Sequence, residues 1–177
     1  MVDTDRFVYL SFHIDTNRVN ARTALPNMNQ LEKWFNDGVI LMQMSRVALK
    51  EAAAGGNAAR AEKARSYIFT LTQNLIEDER RLFAAIEQIL FPTGAASQNE
   101  ANDVEVVFNA AKYEAILVTA DGGSRRQPGG ILGNRAALAN LGIEVMTDSD
   151  AVALARRKIQ ERDQRITWRA QRQGCAV

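Results

Sequence analysis

The sequence predicts an α/β fold: a three-layer α/β/α sandwich around a mostly parallel central sheet. Three observations carry that expectation. Short apolar runs alternate with segments whose apolar residues recur at helical spacing. The first of these runs is nearly continuous in large apolar residues, as a strand covered on both faces is. Connections from each helix to the next run are short, and no hairpin signal joins two runs.

Residues 7–14, FVYLSFHI, read as the first strand, which stops at the polar cluster Asp15, Thr16, Asn17 and Arg18. Asn29 is placed to cap a helix through Asn36, with Leu31, Trp34 and Phe35 on one side and Gly38 as the terminating glycine. A second strand follows over 39–44. Ser45 caps the next helix, whose Val47, Ala48 and Ala52 share a stripe; Gly55 and Gly56 interrupt it, and helix resumes near Asn57. Residues 57–90 read as two helices, weakened between them by Thr70, Thr72 and Asn74. A polar connector over 95–102 leads to a helix from Asp103 to about Tyr113, with Val104, Val107, Phe108 and Ala111 on one face. The third strand covers 115–119. A glycine-rich loop over 122–133 reads as mobile; a short helix over 135–141 ends at Gly142, and a fourth strand occupies 143–146. The final helix begins near Ser149.

The 177 residues, 46% hydrophobic and 24% charged, suffice for one packed domain with at most an appendage. With 22 Lys and Arg against 21 Asp and Glu, no chain-wide field of one sign selects nucleic acid or membrane, so any such surface must be local. One is visible: from Arg156 onward there are seven basic residues and two acidic ones. The apolar stripe Val152, Ala155, Ile159 and Ile166 packs the start of this helix, while Arg165, Trp168 and Arg169 belong to a part that projects. The lone cysteine, Cys175, forms no internal disulfide and supports no zinc site, which favours a reducing compartment. The acidic start before the first apolar run is unlike a signal peptide, and no run is long enough to span a membrane. A cytoplasmic protein is expected.

In an open parallel sheet, ligands bind beyond the carboxyl ends of the strands. Asp15 follows the first strand, and Asp121 follows the third in the string LVTAD. Glu51, on the helix after the second strand, and Asp103, in the first turn of the helix feeding the third, can approach the same edge. Converging carboxylates repel one another unless their pKa values rise or a cation binds. With one histidine and one remote cysteine, the ligands would be oxygens, which suit Mg²⁺ or Mn²⁺. Such ions serve phosphoryl chemistry by activating water and stabilising the leaving oxygen.

The strand-ending IDTN (Ile14 to Asn17), the run from Ser45 to Glu51, the segment from Asn102 to Ala111 and LVTAD resemble, in order, the four acidic motifs of PIN-domain nucleases. The resemblance covers about residues 7–147. It implies an α/β/α domain that cleaves RNA internally with Mg²⁺ or Mn²⁺, leaving 3′-hydroxyl and 5′-phosphate ends. The chain then divides into this domain over 1–148 and, from the residue pattern above, a basic helix over 149–177 that packs on or projects from it. Asp15, Asp103 and Asp121 match the metal-binding aspartates, Glu51 the second acidic position, and Asn17 and Thr119 the polar residues supporting the first and last aspartates. The implied partners are RNA, an antitoxin protein if the chain is the toxin of a toxin–antitoxin pair, and a second copy of itself. Arg125, Arg126, Arg165 and Arg169 are candidate RNA contacts.

Each signal also has a plainer explanation. Asp15 and Asn17 can be turn residues, Asp103 a first-turn acid, Glu51 a solvated helix residue, and Thr119 a local hydrogen-bond partner. His13, two residues before Asp15, reads as a buried, hydrogen-bonded histidine before a catalytic base. The loop over 122–133 lacks the Lys-Ser/Thr of a P-loop. A catalytically silent relative that docks partners through 57–90 and the basic tail is the rival reading. A phosphatase of the haloacid dehalogenase type ranks third, since that family wants a second aspartate where Asn17 stands.

Overall fold

β1 (Ser11–Ile14) is the central strand of a five-stranded, all-parallel sheet in the computed structural model, which describes residues 7–19, 25–54, 56–72, 75–125 and 127–174. It pairs on one side with β2 (Leu41–Ser45), which pairs in turn with β3 (Ile68–Thr70). On the other side it pairs with β4 (Ile116–Val118), which carries β5 (Val145–Met146). The order is therefore β3-β2-β1-β4-β5. The chain fills one half of the sheet outward from β1, then returns to fill the other, so the direction of winding reverses between β1 and β4. That reversal opens a crevice at the carboxyl ends of those two strands.

Helices cover both faces. α1 (Pro26–Asn36) packs against α8 (Asp148–Gly174) on one side. On the other, α5 (Gln98–Lys112) lies across β1, β2 and β4 and packs against α2 (Arg46–Ala54) and α4 (Glu77–Leu90). α3 (Ala58–Arg65) continues from α2, and α6 (Gly130–Gly133) and α7 (Arg135–Ala139) precede β5. This is the three-layer arrangement expected from the sequence. The core runs through the sheet at Phe12, Ile14, Met42, Met44, Leu117 and Val118, with Met28 and Leu31 of α1 and Val107 and Phe108 of α5, all fully buried. Burying such side chains contributes roughly 1.5–3 kcal/mol each. Among the described residues, no helix is long and apolar enough to cross a membrane.

Several local expectations are corrected. The sheet has a fifth strand, β3, inside the stretch read as helical. It is three residues long, and Ile68 and Phe69 are 45% exposed at the sheet edge, so neither length nor burial gave it a strand's pattern. α1 starts three residues before Asn29, with Pro26 at its first position, where a missing N–H costs nothing. α5 starts at Gln98, not Asp103, because Ser97 caps it by accepting from the Glu100 N–H at 3.3 Å. Asp103 accordingly sits in the second turn, away from the positive end of the helix. The segment after Asp121 is folded instead of loose: Gln127 and Ile131 are buried, and Gly123 bridges Pro128. The strands are also shorter than their apolar runs: β1 begins at Ser11, not Phe7, and the last strand at Val145, not Ile143, since only those residues pair in the sheet. Two caps are as expected: Ser45 caps α2 through the Ala48 N–H (3.1 Å), and Asn57 caps α3 through the Arg60 N–H (3.1 Å). Arg126 and Cys175 lie outside the described residues.

Candidate functional site

Asp15 is the first residue past β1, and its backbone N–H still donates to Val118 of β4 (3.1 Å), which anchors it at the crevice. Its Oδ2 accepts from the Thr119 hydroxyl at 2.6 Å and from the Asn17 amide at 2.7 Å. The same Asn17 amide reaches Thr119 Oγ1 (3.1 Å), and Asn17 Oδ1 accepts from the Ala120 N–H (2.9 Å). Thr119 Oγ1 also accepts the Asp121 N–H at 2.9 Å. A continuous network thus ties the ends of β1 and β4, with Asp15 at its centre. Burial pushes the Asp15 carboxyl above its ordinary range; the Thr119 bond and the Thr16 N–H oppose the rise, and the charges of Asp121 and Glu51 add to it.

Glu51 is positioned from α2. Its Oε2 accepts the Thr16 hydroxyl at 2.7 Å and its Oε1 the Asn102 amide at 2.6 Å, while Gln98 holds Asn102 Oδ1 at 2.9 Å. Both oxygens therefore have neutral donors. Thr16, Asn102 and Gln98 were not singled out from the sequence. The signal was available for the first two, which are immediate neighbours of Asp15 and Asp103 in the quoted motifs.

Asp103, on α5, is the unbalanced member. Its pKa is pushed up to about 7, first by burial and then by the charges of Asp15, Asp121, Glu51 and Glu100. No described residue gives its carboxylate a hydrogen bond or an ion pair. The four acids expected from the sequence thus lie close enough for the charges of the others to act on Asp15 and Asp103.

Asp121 is held by the chain that follows it. Its Oδ1 accepts the Gly123 N–H (3.1 Å), its Oδ2 the Ile131 N–H (2.8 Å), and its carbonyl the Leu132 N–H (3.2 Å). Gly130 has φ of +58°, and a Cβ there would collide with Asp121 Oδ2 and the Gly123 N–H. Glycine is required because the backbone closes directly on the carboxylate.

The other candidates are dispersed. Arg125 is exposed in the segment after Asp121. Arg18, two residues past Asp15's turn neighbour Thr16, pairs with Asp148 at the start of α8 (3.2 Å). Arg165 and Arg169 lie on the same helix but seventeen and twenty-one residues further on, about 26 and 32 Å along it at 1.5 Å per residue. They are not part of the acidic pocket. His13 is fully buried, its Nε2 is 3.0 Å from Thr70 Oγ1, and burial lowers its pKa to about 3, so it is neutral.

The donor set, four carboxylates with no thiol or imidazole among them, fits a hard divalent cation in its chemistry. As the side chains stand, no three Asp, Glu, His or Cys among the described residues close into a metal-holding group. The site is thus acidic, with one half-buried carboxylate, Asp103, that no described protein group donates to.

No family model and no curated protein matches this sequence. Two solved structures are similar to it in chain path. One is a PilT N-terminus domain protein from the hyperthermophilic archaeon Sulfolobus solfataricus P2, 12% identical over 82% of this chain and 93% of that one, with a TM-score of 0.47. The other is VapBC2 from Rickettsia felis, bound to a DNA fragment from their promoter, 16% identical over 78% of this chain and 98% of that one, also at 0.47. What the pocket can do rests on its own residues.

Proposed function

We propose that this chain is a divalent-metal-dependent endoribonuclease of the PIN type. The observation that carries the reading is the convergence of acids on Asp103, which has no protein hydrogen-bond donor among the described residues and whose carboxyl is pushed up to about 7 first by burial and then by Asp15, Asp121 and Glu51. Repulsion among neighbouring, partly buried carboxylates is what a bound cation relieves.

Asp15, Asp103 and Asp121 would hold Mg²⁺ or Mn²⁺, and Glu51 would complete the acidic wall. A bound cation supplies positive charge that favours ionised water as the attacking group and steadies the leaving oxygen. The remaining work falls to the chain. Thr119 and Asn17 fix the orientation of Asp15, and Thr16 and Asn102 fix that of Glu51. In the reaction, a water oxygen bonds to phosphorus as the bond from phosphorus to the 3′ oxygen breaks. The attacking water gives up a proton to solvent, the 3′ oxygen takes one up from solvent and leaves as a hydroxyl, and the phosphate stays on the 5′ oxygen of the other fragment. An antitoxin protein and a second copy of the chain are the partners that belong to this proposal.

One feature favours a second reading, a silent interaction module: both Asp121 oxygens already accept backbone N–H groups, a structural duty that needs no metal. The two separate in one experiment. Purified protein and its Asp15→Asn variant are incubated with labelled single-stranded RNA in Mg²⁺, in Mn²⁺ and in chelator. Metal-dependent cleavage abolished in the variant is the expected result. A folded wild type that binds RNA but cleaves none under any metal would reject the nuclease.

A further inference from the structure

The second half of α8 carries a stripe that the acidic pocket does not use. Lys158, Arg162, Arg165, Arg169 and Arg172 recur at alternating four- and three-residue steps, which places all five on one face of the helix. The stripe borders the apolar one formed by Val152, Ala155 and Ile159, so it lies beside the domain surface. There it forms one wall of a groove of about 460 Å³, whose other wall is the stretch from Phe7 to Tyr9 leading into β1. Among the described residues that line the groove, four are cationic and one, Glu161, is acidic. Lys158 pairs with Glu161 and Arg162 with Asp163, whereas Arg165 and Arg169 are exposed and make no ion pair with any described residue. Tyr9 is 93% exposed at the opposite wall, and Trp168, beside Arg165 and Arg169 on the helix, is 55% exposed with Arg172 stacked 4.0 Å over its ring.

We propose that this groove is an anchoring site for single-stranded RNA, separate from the acidic pocket. A row of cations selects a polyanion, and the exposed ring of Tyr9 across the groove selects one with bases to stack. The choice of RNA among polyanions rests on the nuclease reading above. β1 enters the sheet from the groove and leaves it at Asp15, so groove and pocket lie at opposite edges, with α8 running between them from Asp148. A strand held at both places must cover about 26–32 Å, roughly eight or nine nucleotides at the stacked spacing of about 3.4 Å. The groove therefore acts as a length sensor: short RNAs reach the pocket alone, and longer ones gain a second hold.

The test has two arms. In the first, RNA of about twenty nucleotides is titrated by fluorescence anisotropy at several salt concentrations against Asp15→Asn protein with and without Arg165→Gln and Arg169→Gln. At about 0.7 counterion released per phosphate contact, loss of two contacts makes the slope of log affinity against log salt shallower by about 1.4. Arg165→Lys with Arg169→Lys should restore the slope. This arm needs no cleavage, so it stands even if the nuclease reading fails. In the second arm, Arg165→Gln with Arg169→Gln in an otherwise native chain should raise KM several-fold for the long RNA and leave a tetranucleotide unaffected. An unchanged slope, or equal losses on long and short RNA, would overturn the anchoring site and give the groove to a protein partner, a second copy of this chain included.

Discussion

The hydroxyl of Thr119 donates to Asp15 Oδ2 at 2.6 Å across 104 residues of sequence, and the same oxygen receives the Asp121 N–H. Thr119 therefore serves two aspartates with one atom. Replacing it with valine keeps the shape and removes both services. Thr119→Val should cost about 1–3 kcal/mol of stability, the range for a buried polar partner left unpaired. It should also lower RNA turnover while the fold persists. Urea unfolding followed by a cleavage assay checks both; full activity with unchanged stability would show the network to be idle.

Asp103 gives a prediction about stability without metal. Its folded pKa, about 7, lies above its ordinary 3.8, so the folded chain binds more protons than the unfolded one between those values. Its contribution is then fully present below about pH 4 and is lost as pH rises toward 7. In chelator, Asp103→Asn should melt higher than wild type at pH 8 and match it near pH 4. Mg²⁺ or Mn²⁺ should raise the wild-type melting temperature at pH 8 and leave the variant's unmoved, since a ligand stabilises only the state that binds it.

His13 acts in the opposite direction. Held neutral, with its pKa lowered from 6.5 to about 3, it lets the unfolded chain bind the extra proton. Stability due to it is intact above 6.5 and falls as pH drops toward 3. His13→Gln, which can still meet the Thr70 hydroxyl, should flatten the acid side of the stability profile. Its pH–rate profile for RNA cleavage should match wild type; a missing limb would make His13 a participant in the chemistry.

Gly130→Ala tests the loop. The φ of +58° and the collision with Asp121 Oδ2 leave no place for a methyl group, so the backbone must open. Protease cleavage within 122–133 should accelerate and turnover should fall, with the far-ultraviolet circular dichroism spectrum preserved. Resistance equal to wild type would mean that the loop closes without Gly130.

The parts of this architecture legible in the sequence were those where one residue type changes abruptly. β1 is apolar until Asp15, and β4 is apolar until Thr119, so the crevice between them could be read from the punctuation. β3 was hidden because three half-exposed residues show no period. The start of α5 was written in Ser97 and Glu100, a capping signature, but the polarity of 95–102 resembled a connector. The glycines after Asp121 suggested freedom, whereas Gly123 and Gly130 take positive φ to bring backbone N–H groups onto a carboxylate. That use depends on contacts no local pattern contains. Thr16 and Asn102 stand beside expected acids in the sequence, but that both turn toward Glu51 depends on such contacts too.

The placement of β1 at the middle of the sheet has a consequence for how the protein is made. β1 and β2 leave the ribosome early, but the other edge of β1 has no partner until β4 emerges about a hundred residues later. At roughly 5–20 residues per second, that edge stays open for about 5–20 seconds. During that time the nascent chain lacks Thr119 and Asp121, and Asp15 has neither its hydroxyl donor nor its carboxylate neighbour. The pocket is incomplete throughout early synthesis, so a chain released before β4 would carry a sticky strand and no working site.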